Sequence, residues 1–393
     1  ALIRNHNQRT VLEEVFRKRE TSRSKMAKDL SMSKPAISDN LEHLIDLGIV
    51  METGDGASGN LGGRKPRIIE FNENYKYIVA VDFYYSEPVF ILANLNGDIV
   101  SEFDTKIHKD ANSRSCEYIL INGINILLES KNIPDEMVGC VAIASPGMFN
   151  DQSELTEFNT YNIGHNWAQV NYKKILKERF GDNVIVNNDI KAATLGERMF
   201  GASPKPKNMI FFSCGVGFGS GIIINSSLYF GDNFSAGKIF NYRQIKLSEK
   251  ETLERKICIS SLVNTINEGI RQGENTILKD IEEEITFNHI VSAYDAGDRY
   301  TVSVIREICE KIAVIIFNMS SFLDVQKVVF GGEYSAFFDL LQDIYVKEFS
   351  SKYERTATLE CSKLGRLSGI YGLIHVARCK IFDDVTGKVT TAL

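Results

Sequence analysis

No apolar run in this 393-residue chain approaches the roughly 18 residues that a membrane-spanning helix requires, and no signal-peptide pattern opens it. Paired cysteines are missing too. Cys116, Cys140, Cys214, Cys258, Cys309, Cys361 and Cys379 lie far apart, with no CxC or CxxC among them. That spacing argues against a disulfide scaffold and against a cysteine zinc cluster, and it suits a reducing cytoplasm. Neither sign of charge is in large excess, since the net charge is −6. The charge is uneven, however: residues 1–70 balance at +2 and the remainder at −8. A slightly basic end on an acidic body points to an anionic partner at that end.

What is present is enough for two or three domains, with hydrophobic content of 44% and charged content of 24%, both ordinary for globular proteins. The first 50 residues read as three helices. Val11, Leu12, Val15 and Phe16 form one apolar stripe, Met26, Ala27 and Leu30 a second, and Ile37, Leu41, Leu44 and Ile45 a third. Ser22 and Ser33 are predicted N-caps, Pro35 fits the first turn of the third helix, and Gly48 ends it. "LSMS" is the short turn between the second and third helices, and the strand-like "IVMET" and "RIIEF" flank the glycine-rich tip "GDGASGNLGGRKP". This is a winged helix-turn-helix pattern over residues 1–72. From Tyr75 onward, strands alternate with helices and polar residues gather at strand ends, which predicts two α/β lobes in tandem. The alternating glycines of "SCGVGFGSGII" (213–223) predict a hairpin whose backbone is closely approached.

In order along the chain stand "VAVDF", "VAIASPGMFN", "NIGHNW", "VNNDIKAATLGE", "GVGFGSGIIINSSLYFG" and "VVFGGEYS", behind a head reading "NQRTVLEEVFRKRETSRSKMAKDLSMSKPAISDNLEHLIDLGIV". In these motifs the sequence resembles the ROK family (repressors, open reading frames, kinases), specifically its repressor branch, over nearly its whole length. The resemblance implies an α/β fold: an N-terminal winged helix-turn-helix plus a two-lobed, actin- and hexokinase-like sugar-kinase domain. It places lobe 1 at residues 73–190, joined by a closing helix at about 366–393, and lobe 2 at 191–365, with an effector cleft between them.

Against that family pattern, two stretches depart. Family kinases carry a glycine-rich phosphate loop after the strand that ends here in Asp82, yet "FYYSEP" follows. Phe83, Tyr84, Tyr85 and Pro88 bring bulk where backbone N–H groups should meet phosphate, so weak or absent ATP binding is expected. The family's Glu-x-Gly-His run and zinc-holding cysteines are replaced by "AGKIFNYRQI", with Lys238 in the place of Glu, Phe240 in that of Gly and Asn241 in that of His. Four N or S ligands are not supplied there, and no metal and no cofactor are expected.

By the resemblance, Asp189 matches the catalytic aspartate of family kinases and here accepts a hydrogen bond from a sugar hydroxyl; an N-cap role is the alternative. Asn188 beside it, Pro146 and Gly147 in a loop after a buried strand, and Asn162 and His165 complete the implied effector set with Lys238 and Asn241. For Pro146 and Gly147 an ordinary turn, and for His165 a structural role, remain open. Lys238 favours either an acidic or phosphorylated sugar, or else is a solvated residue of a drifted loop. In the head, Ser33, Lys34, Ser38 and Asn40 of the third helix are candidates for DNA contact, with Arg64, Lys65 and Arg67 at the wing tip entering a minor groove or pairing with phosphates. His43 also avoids the apolar stripe, and Arg4, Arg9, Arg23 and Lys25 can add phosphate contacts.

The sequence thus predicts a cytoplasmic, non-enzymatic transcriptional repressor of carbohydrate-utilisation genes. Its expected partners are double-stranded, pseudo-palindromic operator DNA and a sugar or sugar derivative, with the chain acting as a homodimer away from membranes. The alternatives are an ATP-dependent sugar kinase, and a ligand-independent DNA-binding repressor with a vestigial cleft.

Overall fold

The computed structural model describes residues 2–55, 67–83, 88–106, 113–150, 154–157, 170–202, 205–239 and 254–387. The apolar stripes of the first 50 residues become α1 (Leu2–Lys18), α2 (Arg23–Asp29) and α3 (Lys34–Asp46). Ser22 and Ser33 cap α2 and α3 by accepting from the N–H groups of Lys25 and Ala36 at 3.4 and 3.3 Å. Gly48 follows α3 in the left-handed region at φ +81°, where a side chain would be strained. A short β1 (Glu20–Thr21) joins β2 (Val50–Asp55) and β3 (Arg67–Phe71) in a sheet of order β1-β3-β2.

A meander of β4 (Tyr77–Asp82), β5 (Val89–Ala93) and β6 (Ile99–Asp104) leads to α4 (Ser113–Ser130). Then come β7 (Val138–Ser145), the small β8 (Met148–Phe149) and β9 (Leu155–Glu157), α5 (Tyr172–Phe180) and β10 (Val184–Asn188). The first large sheet has order β10-β7-β4-β5-β6, with β7 parallel to both β4 and β10. The continuous burial of β4, β5 and β7 explains their unbroken apolar runs, because both sheet faces are covered.

From β10 the chain turns directly into α6 (Asp189–Gly196), which ends in a π-helical turn, Glu197–Gly201. The second large sheet contains β11 (Met209–Cys214), β12 (Phe218–Ile224) and β13 (Ser227–Leu228). Helices α7 (Glu254–Ile257), α8 (Ile259–Gln272), α9 (Phe287–Asp295) and α10 (Arg299–Phe322) precede β14 (Lys327–Gly331); α11 (Phe338–Tyr345) precedes β15 (Thr358–Cys361). The sheet order is β13-β12-β11-β14-β15. The chain closes with α12 (Ser368–Thr386), which lies against β4, β7 and α6 and reaches α1.

Among the described residues four apolar clusters hold this arrangement, the smallest around Leu195, Phe211, Ile223 and Val376. Of the others, one lies under α4 and α5, and another fills the second sheet and its helices. The third is continuous from the head into the first lobe: Val11, Leu12, Ile37 and Leu41 share it with Ile78, Ala142, Ile374 and Phe382. Phe16, Phe71 and Phe382 meet edge to face at 5.1–5.7 Å, so the head is seated on α12 by aromatic packing.

Candidate functional site

Where β10 meets α6, two adjacent polar residues divide two tasks. Asn188 caps α6 by accepting from the Lys191 N–H at 3.1 Å, and its amide donates to the Gly147 carbonyl at 2.8 Å and to Asp189 Oδ1 at 2.9 Å. Asn188 therefore ties the Pro146–Gly147 turn after β7 to the start of α6. The N-cap alternative considered for Asp189 thus falls to Asn188. Asp189 Oδ1 also accepts from the Ile190 N–H at 2.8 Å, and its carboxylate opens onto a cavity of about 370 Å³. Burial pushes the Asp189 carboxyl up to about 6, against the hydrogen bonds from Ile190, its own N–H and Asn188.

Across that cavity stands Asp82, the last residue of β4 and 4% exposed. Burial, and then the neighbouring charge of Asp189, hold its carboxyl well above the usual carboxylate range, while Arg366 opposes them. Among the described residues its buried Oδ1 has no hydrogen-bond partner. Ser213, Glu333, Ser335, Ser362 and Ser368 contribute to the walls, so three carboxyl-bearing residues and several hydroxyl-bearing ones line one cavity. That lining suits a polyhydroxy ligand, whose hydroxyls both donate to carboxylates and accept from serines. Nearby, Glu197 is a scaffold: its Oε1 accepts from the Ser368 hydroxyl at 2.7 Å, the Leu364 N–H at 3.2 Å and the Ser362 hydroxyl.

The glycines of the β11–β12 hairpin answer to protein neighbours. A Cβ on Gly219 would press into Ile190, and one on Gly221 would overlap Thr194, so their absence lets α6 lie flat on β12. A Cβ on Gly215 would collide with the Glu333 carboxylate, which occupies that side of the hairpin turn. On the opposite lobe, Phe83 is fully buried, stacked on Tyr172 at 5.5 Å and edge-on to Phe90 at 6.3 Å. Pro88 is buried as well.

Lys238 lies in the segment after β13. Its neighbour Gly237 accepts from the Ser220 N–H at 3.1 Å and the Ser220 hydroxyl at 2.7 Å, which pins this segment to β12. Arg366 and Glu333 were missed by the motif reading, because they reach the cavity from chain segments more than 100 residues away from Asp189. Asn162, His165 and Asn241, together with Arg64 and Lys65 of the wing, lie outside the described residues, as do Tyr84, Tyr85 and Phe240. The structure brings Gly147, Asn188 and Asp189 together, with Pro146 in the adjoining turn.

In the head, Lys34 is exposed and Ser38 half-buried on α3, and exposed Ser33 uses its hydroxyl as the cap. Asn40 departs from the expectation of a DNA-facing residue. It is 7% exposed and donates to the Ala36 carbonyl at 2.7 Å, because its position on α3 turns toward α1. Arg67 begins β3 at the wing's base and pairs with Glu52 at 2.8 Å; Arg23 shares that carboxylate at 2.7 Å. Arg9, expected among the phosphate contacts, is 7% exposed and turned inward. It pairs with Asp383 at 2.9 Å, donates to the Cys379 carbonyl at 3.0 Å and covers the Phe382 ring at 5.1 Å. Among the described residues no cluster of His, Cys, Asp and Glu has metal-binding geometry, and no helix is long and apolar enough to cross a membrane.

This chain is similar end to end to the xylose repressor of Caldicellulosiruptor bescii, at 26% identity over 95% of each chain. Its fold is similar to that of a ROK family transcriptional regulator described as a homologue of the E. coli Mlc protein, with TM-score 0.77, 20% identity and 98% of both chains covered. A ROK family glucokinase from Streptomyces griseus aligns with TM-score 0.64 and 21% identity, covering 77% of this chain and 99% of its own. The sequence pattern of the ROK family matches residues 79–379. With the winged head in front of that match, the chain belongs to the ROK family.

Proposed function

We propose that this protein is a DNA-binding transcriptional repressor of carbohydrate-utilisation genes whose operator affinity is set by a sugar or sugar derivative in the cavity between its lobes. In this reading residues 1–72 are the operator-binding head. Residues 73–190 with the closing helix form one lobe, and 191–365 the other. A homodimer presents two heads to a pseudo-palindromic site in the cytoplasm. Lys34, Ser33 and Ser38 meet the operator from α3, and Arg64, Lys65 and Arg67 from the wing. Asp189, Asn188, Pro146 and Gly147 meet the sugar, with Asn162, His165, Lys238 and Asn241 completing the cleft.

One observation carries the reading: α12 touches both places. At its start Gly369 lies against the Asp82 carboxylate and Ser368 bonds Glu197. At its end Asp383 and Phe382 hold Arg9 and Phe16 of the head. Its 19 residues span about 28 Å at 1.5 Å per residue. A ligand that shifts the lobes moves α12 and with it the seat of the head. Coupling of this kind is typically worth about 5- to 150-fold in affinity. The repressor named among its relatives supports the same assignment. Against kinase activity stand the buried Phe83 and Pro88, where a phosphate loop needs open backbone, and the Glu333 carboxylate beside Gly215.

Fluorescence anisotropy on DNA from the gene's own upstream region tests the proposal. Full-length protein should bind it, Lys34→Glu should weaken binding by about ten-fold or more, and one sugar of a panel should shift the affinity. Sugar-dependent ATP turnover that disappears in Asp189→Asn would replace this reading with the kinase one.

A further inference from the structure

Glu52 of β2 faces two arginines of the head. Its Oε2 accepts a hydrogen bond from Arg67 Nη1 at 2.8 Å, and its Oε1 lies 2.7 Å from Arg23 Nη2. The first contact is an aligned hydrogen bond; the second is a charge pair whose angle does not make one. The three residues come from separate elements: Arg23 is the first residue of α2, Arg67 the first of β3, and Glu52 the third of β2. Strand register explains the meeting. Glu52 and Thr21 both stand opposite Ile69, from the two sides of β3. Residues paired across a sheet share a face, and Ile69 is fully buried on the inner one. Glu52 is therefore turned toward the interior, at its margin, with 19% of its side chain exposed. An ionised carboxylate in that place needs cationic partners, and it has one on each oxygen. Directly after it, the register slips between Glu52 and Gly54, so Thr53 is an extra residue that bends β2 at the base of the wing.

A carboxylate in this position works against affinity for DNA, since it repels phosphates and neutralises cations that would attract them. What it supplies is spacing. In helix-turn-helix proteins the first helix of the motif, here α2, crosses the DNA backbone, and Arg67 stands at the base of the wing. Both arginine side chains remain accessible, Arg23 at 35% and Arg67 at 63%. One carboxylate thus sets the distance between two guanidinium groups before DNA arrives, and a guanidinium already held in place loses less freedom on meeting a phosphate. Phosphate contacts in turn fix the register in which α3 meets base edges. We propose that Glu52 is a positioning residue for operator recognition: it holds Arg23 and Arg67 at the spacing of the operator's phosphates, giving up general affinity for DNA in return for discrimination. The inference rests on the reading of residues 1–72 as the operator-binding head, and adds which residue of that head separates the operator from other DNA.

The test is fluorescence anisotropy of the full-length protein on two labelled duplexes of equal length and composition, the gene's own upstream region and a shuffled version of it, over a series of salt concentrations. Glu52→Gln keeps the shape and removes the charge. It should bind the shuffled duplex more tightly, with the slope of log affinity against log salt steeper by about one. Its preference for the upstream duplex should fall by about ten-fold, the scale of one lost base contact. A loss of stability alone neither steepens that slope nor tightens binding to the shuffled duplex. Arg67→Lys, on an exposed side chain, keeps the charge and loses the planar fork, so it should lower the preference at an unchanged slope. With Arg23→Met and Arg67→Met both in place, Glu52→Gln should have no further effect on the preference. The inference is overturned if the preference of Glu52→Gln stays within about two-fold of the parent's, the scatter of independent sites, or if its loss persists without both arginines. If Glu52→Gln unfolds the head in a melting curve, Arg67→Lys decides, and an unchanged preference there overturns the inference. A parent that binds the two duplexes alike, or binds neither, removes the repressor reading and this inference with it. A parent that prefers its own upstream DNA, matched by Glu52→Gln, removes this inference alone.

Discussion

The end of β4 and the hairpin of β11 and β12 contribute Asp82 and Ser213 to one cavity from opposite lobes, and the residues that follow them differ in what a phosphate grip requires. After Asp82 the next side chain, Phe83, is buried against Tyr172 and Phe90, and Pro88 offers no N–H. The hairpin keeps its glycines, yet the space they leave is taken: Ile190 and Thr194 of α6 fill it on one side and Glu333 at its turn. One loop has exchanged backbone for bulk, and the other has kept the absence of bulk for packing. Glycine spacing therefore reports that something comes close; which group comes close is settled by the neighbours. Asp82 and Asp189 line the same cavity from the two sides, which is an arrangement suited to hydroxyls.

The comparison can be broken by experiment, beginning with the largest effect. Phe83→Ala removes a fully buried ring from the first loop and should cost about 3–5 kcal/mol in denaturant unfolding. A cost under about 1 kcal/mol would mean that the loop does not serve as core. Gly221→Ala places a methyl group against Thr194 and should cost about 1–3 kcal/mol. Should the variant be as stable as the parent, close packing of α6 on β12 is not why the glycine stands there.

A third experiment addresses the carboxyl pair. The Asp189 carboxyl titrates at about 6 in the folded chain against 3.8 in the open one, so its protonated form favours folding. That contribution is complete below pH 3.8 and is lost as pH rises through 6. Asp189→Asn should then be more stable than the parent at pH 7.5, by on the order of 1–3 kcal/mol, with the advantage shrinking toward pH 4. Melting curves across that range would refute the pairing if the advantage were the same at both ends. The smallest expected effect is none: ATP with magnesium should leave the melting temperature where it is. A rise of several degrees would show that the hairpin still grips phosphate.

Much of this was legible in the chain itself. Ser22 and Ser33 announced the helix starts because an N-cap is a local bargain between a hydroxyl and an N–H three residues on. The apolar run at residues 77–81, closed by Asp82, announced a buried strand. Asn40 was misplaced because helical periodicity around Ile37, Leu41 and Leu44 marks only the apolar stripe, and a polar side chain on its flank can satisfy itself on the Ala36 carbonyl. Arg9 was misplaced for a different reason: its partner Asp383 is 374 residues away, and nothing local to Arg9 reports that carboxylate.

By itself, then, the sequence determined the elements and their order, the winged head and the family, since caps, periodicity and motif order act over a few residues at a time. Only the tertiary structure decided what those elements enclose. It put Glu333 at Gly215, Glu52 between Arg23 and Arg67, and α12 between cavity and head. Those pairings depend on where distant segments meet, and charge and burial acquire their consequences only after the meeting has taken place.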